Sequence, residues 1–159
     1  MIFVTLGTQR FSFDRLLRGL QGLPSGEELV VQGGASSLRP AGAVWFDFLE
    51  YAELVEQVRA ARVVVAHAGV GTVLTAVREG KCPVVVPRLH RYGEAVDDHQ
   101  LAFGRRLAQS GFVTLVEDPA RLSEALSAAS QSPPRASAPS GELVADLRDY
   151  LEGLAGHSM

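Results

Sequence analysis

Three short valine-rich runs constrain the fold more than any other feature of the chain. Ile2-Phe3-Val4-Thr5-Leu6 stops at Gly7, Val63-Val64-Val65-Ala66 stops at His67-Ala68-Gly69, and Val84-Val85-Val86 stops at Pro87. None alternates apolar with polar residues, which is the pattern of strands covered on both faces in a parallel sheet. Weaker strands are expected at residues 28–32 and 112–116, with a short one around 44–48. Helical patterns fill the gaps. Leu16, Leu17 and Leu20 mark residues 13–20, Leu54, Val55 and Val58 mark 52–61, and a third helix follows the glycines at 72–79. Leu101, Phe103 and Leu107 mark 97–109, and residues 120–129 open after Asp118-Pro119, a cap followed by a first-turn proline. Regular alternation of strand and helix predicts right-handed crossovers and an α/β, doubly wound parallel sheet of Rossmann-like type.

Bulk properties bound the possibilities. A chain of 159 residues, 47% of them hydrophobic, is long enough for one compact domain with a real core. A net charge of −3 does not mark a nucleic-acid binder. The one cysteine, Cys82, excludes an intramolecular disulfide and suits a reducing compartment. The opening MIFVTLGTQ has no basic region of a signal peptide, and no window approaches the ~18 uninterrupted apolar residues of a membrane span. A cytoplasmic domain is the expectation. Residues 130–141, rich in Ser, Pro and Ala, read as a flexible linker. A last helix is expected over 142–159, its apolar stripe docking on its own domain or on a partner.

Ligands of such sheets sit beyond the carboxyl ends of the strands, and the glycine-rich corners fall on that edge. At Gly69-Val70-Gly71-Thr72 the chain turns from strand into helix. Glycine allows close backbone approach, and a helix start offers free N–H groups with partial positive charge, the requirements of a diphosphate site. Tight packing alone also produces such corners. Thr72 either caps the helix or donates to a phosphate oxygen, and His67 reads as a hydrogen-bonded turn residue or a catalyst. Gly7-Thr8-Gln9-Arg10 repeats the arrangement after the first strand.

The loop Pro87-Arg88-Leu89-His90-Arg91-Tyr92-Gly93-Glu94-Ala95-Val96-Asp97-Asp98-His99-Gln100 is too dense in polar groups to be a mere connector. Arg88 and Arg91 are either solvated or bind a phosphate or carboxylate through paired hydrogen bonds. Asp97 reads as a helix cap. Adjacent Asp97, Asp98 and His99 do not converge on one centre, so no metal is expected.

Together IFVTLGTQ, HAGVGT, GKCPVVVPR and YGEAVDDHQ resemble the C-terminal, donor-binding half of GT-B glycosyltransferases of family 28. Within it, the closer resemblance is to small subunits that consist of the donor domain and pair with a membrane-anchored subunit carrying the acceptor site. Two kinds are the bacterial exopolysaccharide or capsule subunits, some of which transfer glucuronic acid, and the eukaryotic subunit that adds GlcNAc to a dolichol-linked sugar. PRLHRYGEAVDDHQ looks more like the bacterial kind. The resemblance implies a UDP-sugar-dependent hexosyltransferase, acting on a lipid-linked saccharide at the inner membrane face through its partner. It implies a donor domain over 1–129, no cofactor, no metal and no nucleic acid. Homodimerisation of the isolated chain is an open alternative.

The resemblance also assigns roles. Gly7, Thr8 and Gln9 would line the phosphate side, and Gly69, Val70, Gly71 and Thr72 would hold the diphosphate. Leu49 to Tyr51 would meet the uracil, chiefly through backbone, and Arg88 or Arg10 would offset developing charge. Glu94, Asp98, His99 and Gln100 would face the donor sugar. Thr75 stands where the peptidoglycan relative has a ribose-binding glutamate, Ala95 where many bacterial relatives have histidine, and Cys82 where they have proline. His67 and His99 are the candidate bases unless the partner supplies one. A competing function is a nucleotide-sugar-binding regulatory module without turnover. An NAD domain is disfavoured because Gly7-Thr8-Gln9-Arg10-Phe11 lacks the three-glycine spacing.

Overall fold

A computed structural model describes residues 1–23, 26–129 and 141–155. The strands are β1 (Ile2–Thr5), β2 (Leu29–Gln32), β3 (Val44–Phe46), β4 (Val63–His67), β5 (Val84–Val86) and β6 (Thr114–Leu115). They form one sheet in the order β3-β2-β1-β4-β5-β6, and every neighbouring pair is parallel. The helices are α1 (Asp14–Gly19), α2 (Tyr51–Ala60), α3 (Val70–Arg78), α4 (His99–Gln109), α5 (Leu122–Ala129) and α6 (Gly141–Ala155).

Side chains along a strand alternate between faces, so each apolar run feeds two cores. Val4, Val65 and Val84 pack with Leu16 and Leu17 of α1 and Leu122 and Leu126 of α5. Phe3 and Val64 face the other way, against Val58 of α2 and Ala76 of α3. Val85 continues that face against Val73 of α3 and Phe103 and Leu107 of α4. The uninterrupted valines therefore reflect a sheet sandwiched between two helical layers, as their pattern predicts.

The expected linker over 130–141 lies outside the described residues except for Gly141, which opens α6, and so do residues 156–159. Helix α6 packs back on this domain. Leu147 is buried in the cluster of Phe103 and Leu107, and the Tyr150 hydroxyl donates to the His99 carbonyl at 3.1 Å. No helix among the described residues is long and apolar enough to cross a membrane.

The order of strands reverses between β1 and β4. From β1 the chain builds outward to β2 and β3, whereas from β4 it builds to β5 and β6. A crevice opens at such a switch point, beyond the carboxyl ends of the two central strands. The corners at Gly7 and Gly69 flank it.

Candidate functional site

Helix α3 begins two residues earlier than the sequence pattern suggests, at Val70, with Gly69 as the extended N-cap (φ −85°, ψ 133°). Thr72 therefore lies within the first turn and does not cap the helix. No side chain caps it, and the first bond of its ladder runs from the Val73 N–H to the Gly69 carbonyl at 3.0 Å. The amides of Val70, Gly71 and Thr72 precede that ladder and are left to an outside acceptor. Gly71 is exposed and Thr72 half-buried. This helix start is a ready anion site.

The corner after β1 is held from inside. Gly7 adopts φ +76°, and its carbonyl accepts from Gln32 Nε2 at 3.2 Å. Gln32 in turn accepts from the Thr5 hydroxyl at 2.5 Å. Ser36 Oγ accepts from the Phe13 N–H at 2.7 Å and fixes the far end of the loop. Thr8 is exposed between these anchors, and no hydrogen bond among the described residues engages it. The buried Gln9 Oε1 also lacks a protein partner, the condition of an atom that meets a bound water or ligand.

His67 joins the two corners. Its ring edge fills the space a side chain would need at either one: a Cβ on Gly7 would lie 2.4 Å from Nε2, and one on Gly69 would lie 2.0 Å from Cε1. Both glycines are thus demanded by the imidazole as well as by any ligand. Gly69→Ala is expected to destabilise the fold by about 2 kcal/mol through overpacking, measured by urea denaturation, because the added methyl would overlap the buried imidazole. Burial, reinforced by the nearby Arg88 charge, lowers the His67 pKa from 6.5 to about 4, opposed by the hydrogen bond to Gln100. The ring is neutral at pH 7. Its Nε2 lies 3.2 Å from Thr72 Oγ1 and its Nδ1 lies 3.3 Å from Gln100 Nε2, so both nitrogens are engaged.

Several residues expected in the cleft turn inward instead. Arg88 is 1% exposed. Its Nη2 donates to the Leu6 carbonyl at 2.6 Å, and its Nη1 donates to the carbonyls of Phe11 at 2.9 Å and Glu94 at 3.2 Å. The guanidinium also lies 4.7 Å from the centre of the Phe13 ring. A cation so enclosed braces the β1 loop and is not presented to a diphosphate. Burial lowers its pKa to about 10, countered by the Glu94 charge.

Glu94 is likewise buried rather than facing a sugar. Arg15 Nε and Nη2 grip its two oxygens at 2.8 and 2.9 Å, and the Leu89 N–H donates to it at 3.0 Å. Gln100 is buried between Arg88 and His67. The Thr75 hydroxyl donates to the Gly71 carbonyl at 2.9 Å, which commits its proton within α3 and not to a ribose.

Asp98, His99 and Tyr51 are more open. Asp98 Oδ1 accepts from the His90 N–H at 2.8 Å and orders the loop before α4. His99 Nδ1 pairs with Asp97 Oδ1, which also accepts from the His99 N–H at 3.0 Å. That pairing lowers the Asp97 pKa, first through the backbone bond and then through the imidazole. Tyr51 is 63% exposed at the start of α2, beside Phe48 at 58%. Leu49, between them, is buried.

Sequence reasoning missed Arg15, Gln32 and Ser36. Gln32 carried a legible signal, a polar residue ending an otherwise apolar strand at the ligand-facing edge. Among the described residues no three potential metal ligands converge.

A six-stranded all-parallel sheet wound outward from a central crevice defines a Rossmann-like α/β domain. The chain belongs to the glycosyltransferase family 28 C-terminal domain family, whose model matches residues 1–150. No curated protein sequence matches it significantly. Among solved structures it is similar to CalG4, the calicheamicin glycosyltransferase, with a TM-score of 0.62 and 18% identity over 99% of this chain and 42% of that one. It is also similar to the glycotransferase of kitacinnamycin (TM-score 0.60, 20% identity, 98% of this chain and 39% of that one). A third is the glycosyltransferase SnogD from Streptomyces nogalater (TM-score 0.57, 21% identity, 95% and 38%). The chain thus spans about two fifths of the length of these structures, and at such identities they establish the shared fold. The fold is that of the C-terminal half of a GT-B glycosyltransferase.

Proposed function

We propose that this domain binds the UDP-sugar donor of a hexosyltransferase that extends a lipid-linked saccharide, in concert with a membrane-anchored acceptor-binding subunit. The observation that carries the donor reading is the uncapped start of α3 at the switch point, where the amides of Val70, Gly71 and Thr72 await an anion. The diphosphate would sit there, with the Thr8 side of the β1 corner closing over it. Tyr51 and Phe48 offer exposed aromatic surface for the uracil end, at the same edge of the sheet.

As the glycosidic bond to the diphosphate breaks, negative charge grows on the leaving group. Prealigned amides stabilise that charge without reorganisation, and the α3 macrodipole adds to them. Arg88 contributes at a distance, by holding the β1 loop in place. Of the two candidate histidines, His99 is the better placed to exchange a proton. Its ring is part-exposed, Asp97 holds Nδ1, and Nε2 meets no partner among the described residues. His67 has neither nitrogen to spare.

The partner reading draws on surface character. Tyr92 is 54% exposed and Val96 68%, both on the loop after β5, and with Phe48 and Tyr51 they place apolar surface along the cleft edge. A second, acceptor-binding domain would cover that edge and bring the saccharide to the donor.

Isothermal titration of UDP into the chain should give a dissociation constant below about 1 mM, and absence of binding up to roughly 5 mM would overturn the donor reading. Transfer from radiolabelled UDP-sugars, assayed with and without membranes carrying the acceptor subunit, separates a catalytic subunit from a regulatory module.

A further inference from the structure

Four groups from two neighbouring corners of the sheet edge, after β4 and after β5, form one hydrogen-bonded chain. The Arg88 N–H donates to Gln100 Oε1 at 3.2 Å, Gln100 Nε2 meets His67 Nδ1 at 3.3 Å, and His67 Nε2 meets Thr72 Oγ1 at 3.2 Å. Its polarity is set at one end. A backbone N–H can only donate, so the Gln100 oxygen must face Arg88 and the Gln100 amide N–H must face His67. His67 Nδ1 is then the acceptor, and the proton of the neutral ring resides on Nε2. That N–H donates to the Thr72 oxygen. The Thr72 hydroxyl has its acceptor side occupied, and its own proton is directed away from the histidine, at the first turn of α3.

We propose that His67 is a positioning residue, which with Gln100 aims the Thr72 hydroxyl proton at the anion seated on the start of α3. This inference rests on the diphosphate reading above. Without the chain, the Thr72 hydroxyl rotates among acceptors and donates to the anion only part of the time. With it, the buried Arg88 amide, just past β5, determines the direction of a hydroxyl on α3, at the neighbouring corner. The two glycines serve the same end, because the lack of a Cβ at Gly7 and Gly69 leaves the imidazole the space it occupies.

The test combines nitrogen-15 NMR of the histidine rings with UDP titration of single and double variants. The wild-type His67 ring should show the Nε2–H tautomer in the absence of ligand. Thr72→Val and His67→Phe should each weaken UDP binding about tenfold, the scale of one hydrogen bond to a charged group. The double variant should bind no more than about twofold worse than either single one, because both remove the same interaction. His67→Gln, whose amide N–H reaches the position of Nε2, should recover most of the affinity lost in His67→Phe. It also carries the test if the phenylalanine variant fails to fold.

Wild-type protein that does not bind UDP overturns the diphosphate reading, and this proposal with it. Wild-type protein that binds UDP while the double variant loses about a hundredfold, or while His67 carries its proton on Nδ1, overturns the positioning role alone.

Discussion

Arg88→Leu is expected to lower folding stability by about 4 kcal/mol and to abolish UDP binding at concentrations where the wild type is saturated. The guanidinium joins three stretches that are remote in sequence: Leu6 at the end of β1, Phe11 in the following loop, and Glu94 in the loop after β5. Leucine removes all those donors at once. The carbonyl oxygens of Leu6, Phe11 and Glu94 would be left facing an apolar side chain, and an unsatisfied buried acceptor costs roughly 1–3 kcal/mol. Glu94 keeps its grip on Arg15, so its charge does not become orphaned, and this keeps the estimate below the sum of three such losses. Arg88→Lys should recover only a minor part, because a point ammonium cannot reproduce a planar fork that reaches carbonyls on two sides. Urea denaturation reads the loss as a lower midpoint at constant slope. A change under about 1 kcal/mol in Arg88→Leu would show that the β1 loop does not depend on this cation.

Arg88 also illustrates what the sequence hides. Its neighbours along the chain, Pro87 and Leu89, place it just past a buried strand, which suits a ligand-facing cation. What decides its role is 82 residues away at Leu6 and 77 away at Phe11. Arg15 and Glu94 form a bidentate pair across 79 residues, and nothing local to either announces the other. By contrast, strand and helix identity was legible because burial on both faces leaves a local trace in Val63-Val64-Val65 and Val84-Val85-Val86. The α3 boundary was legible only to within two residues. Threonine is a good cap by propensity, but Gly69 takes the N-cap, where the crowding of His67 permits no side chain. The corners that could receive an anion were readable from their glycines. The inner brace of Arg88, Gln100, Gln32 and Ser36 was not, because a polar residue in a loop reads alike whether it faces a ligand or the protein's own carbonyls.

Acidification should destabilise the fold by roughly 3 kcal/mol between pH 6.5 and pH 4, and His67 should account for most of the slope. Its folded pKa of about 4 lies below its ordinary value of 6.5. Above pH 6.5 the ring is neutral in both folded and unfolded chains and contributes no pH dependence. Below it, the unfolded chain takes up a proton that the folded chain refuses, and stability falls by at most about 1.4 kcal/mol per pH unit. The refusal has a concrete basis. A second proton would place a positive charge in a buried site, beside the Arg88 guanidinium. Carboxylates contribute in a lower window. Glu27 and Glu117 are held below 4.5 by hydrogen bonds from Arg62 and Arg105, and Asp97 is held below 3.8 by His99. The stability they add is present above those values and lost as pH falls through their still lower folded pKa values. The slope between pH 6.5 and about pH 5.5, before those carboxylates begin to take up protons, therefore isolates the histidine. His67→Gln, which cannot titrate, should flatten the urea midpoint across that interval while leaving the steeper loss below pH 4 intact. A variant whose midpoint falls in parallel with the wild type would place the proton uptake elsewhere. It would also remove the reason for regarding the imidazole at the switch point as permanently neutral.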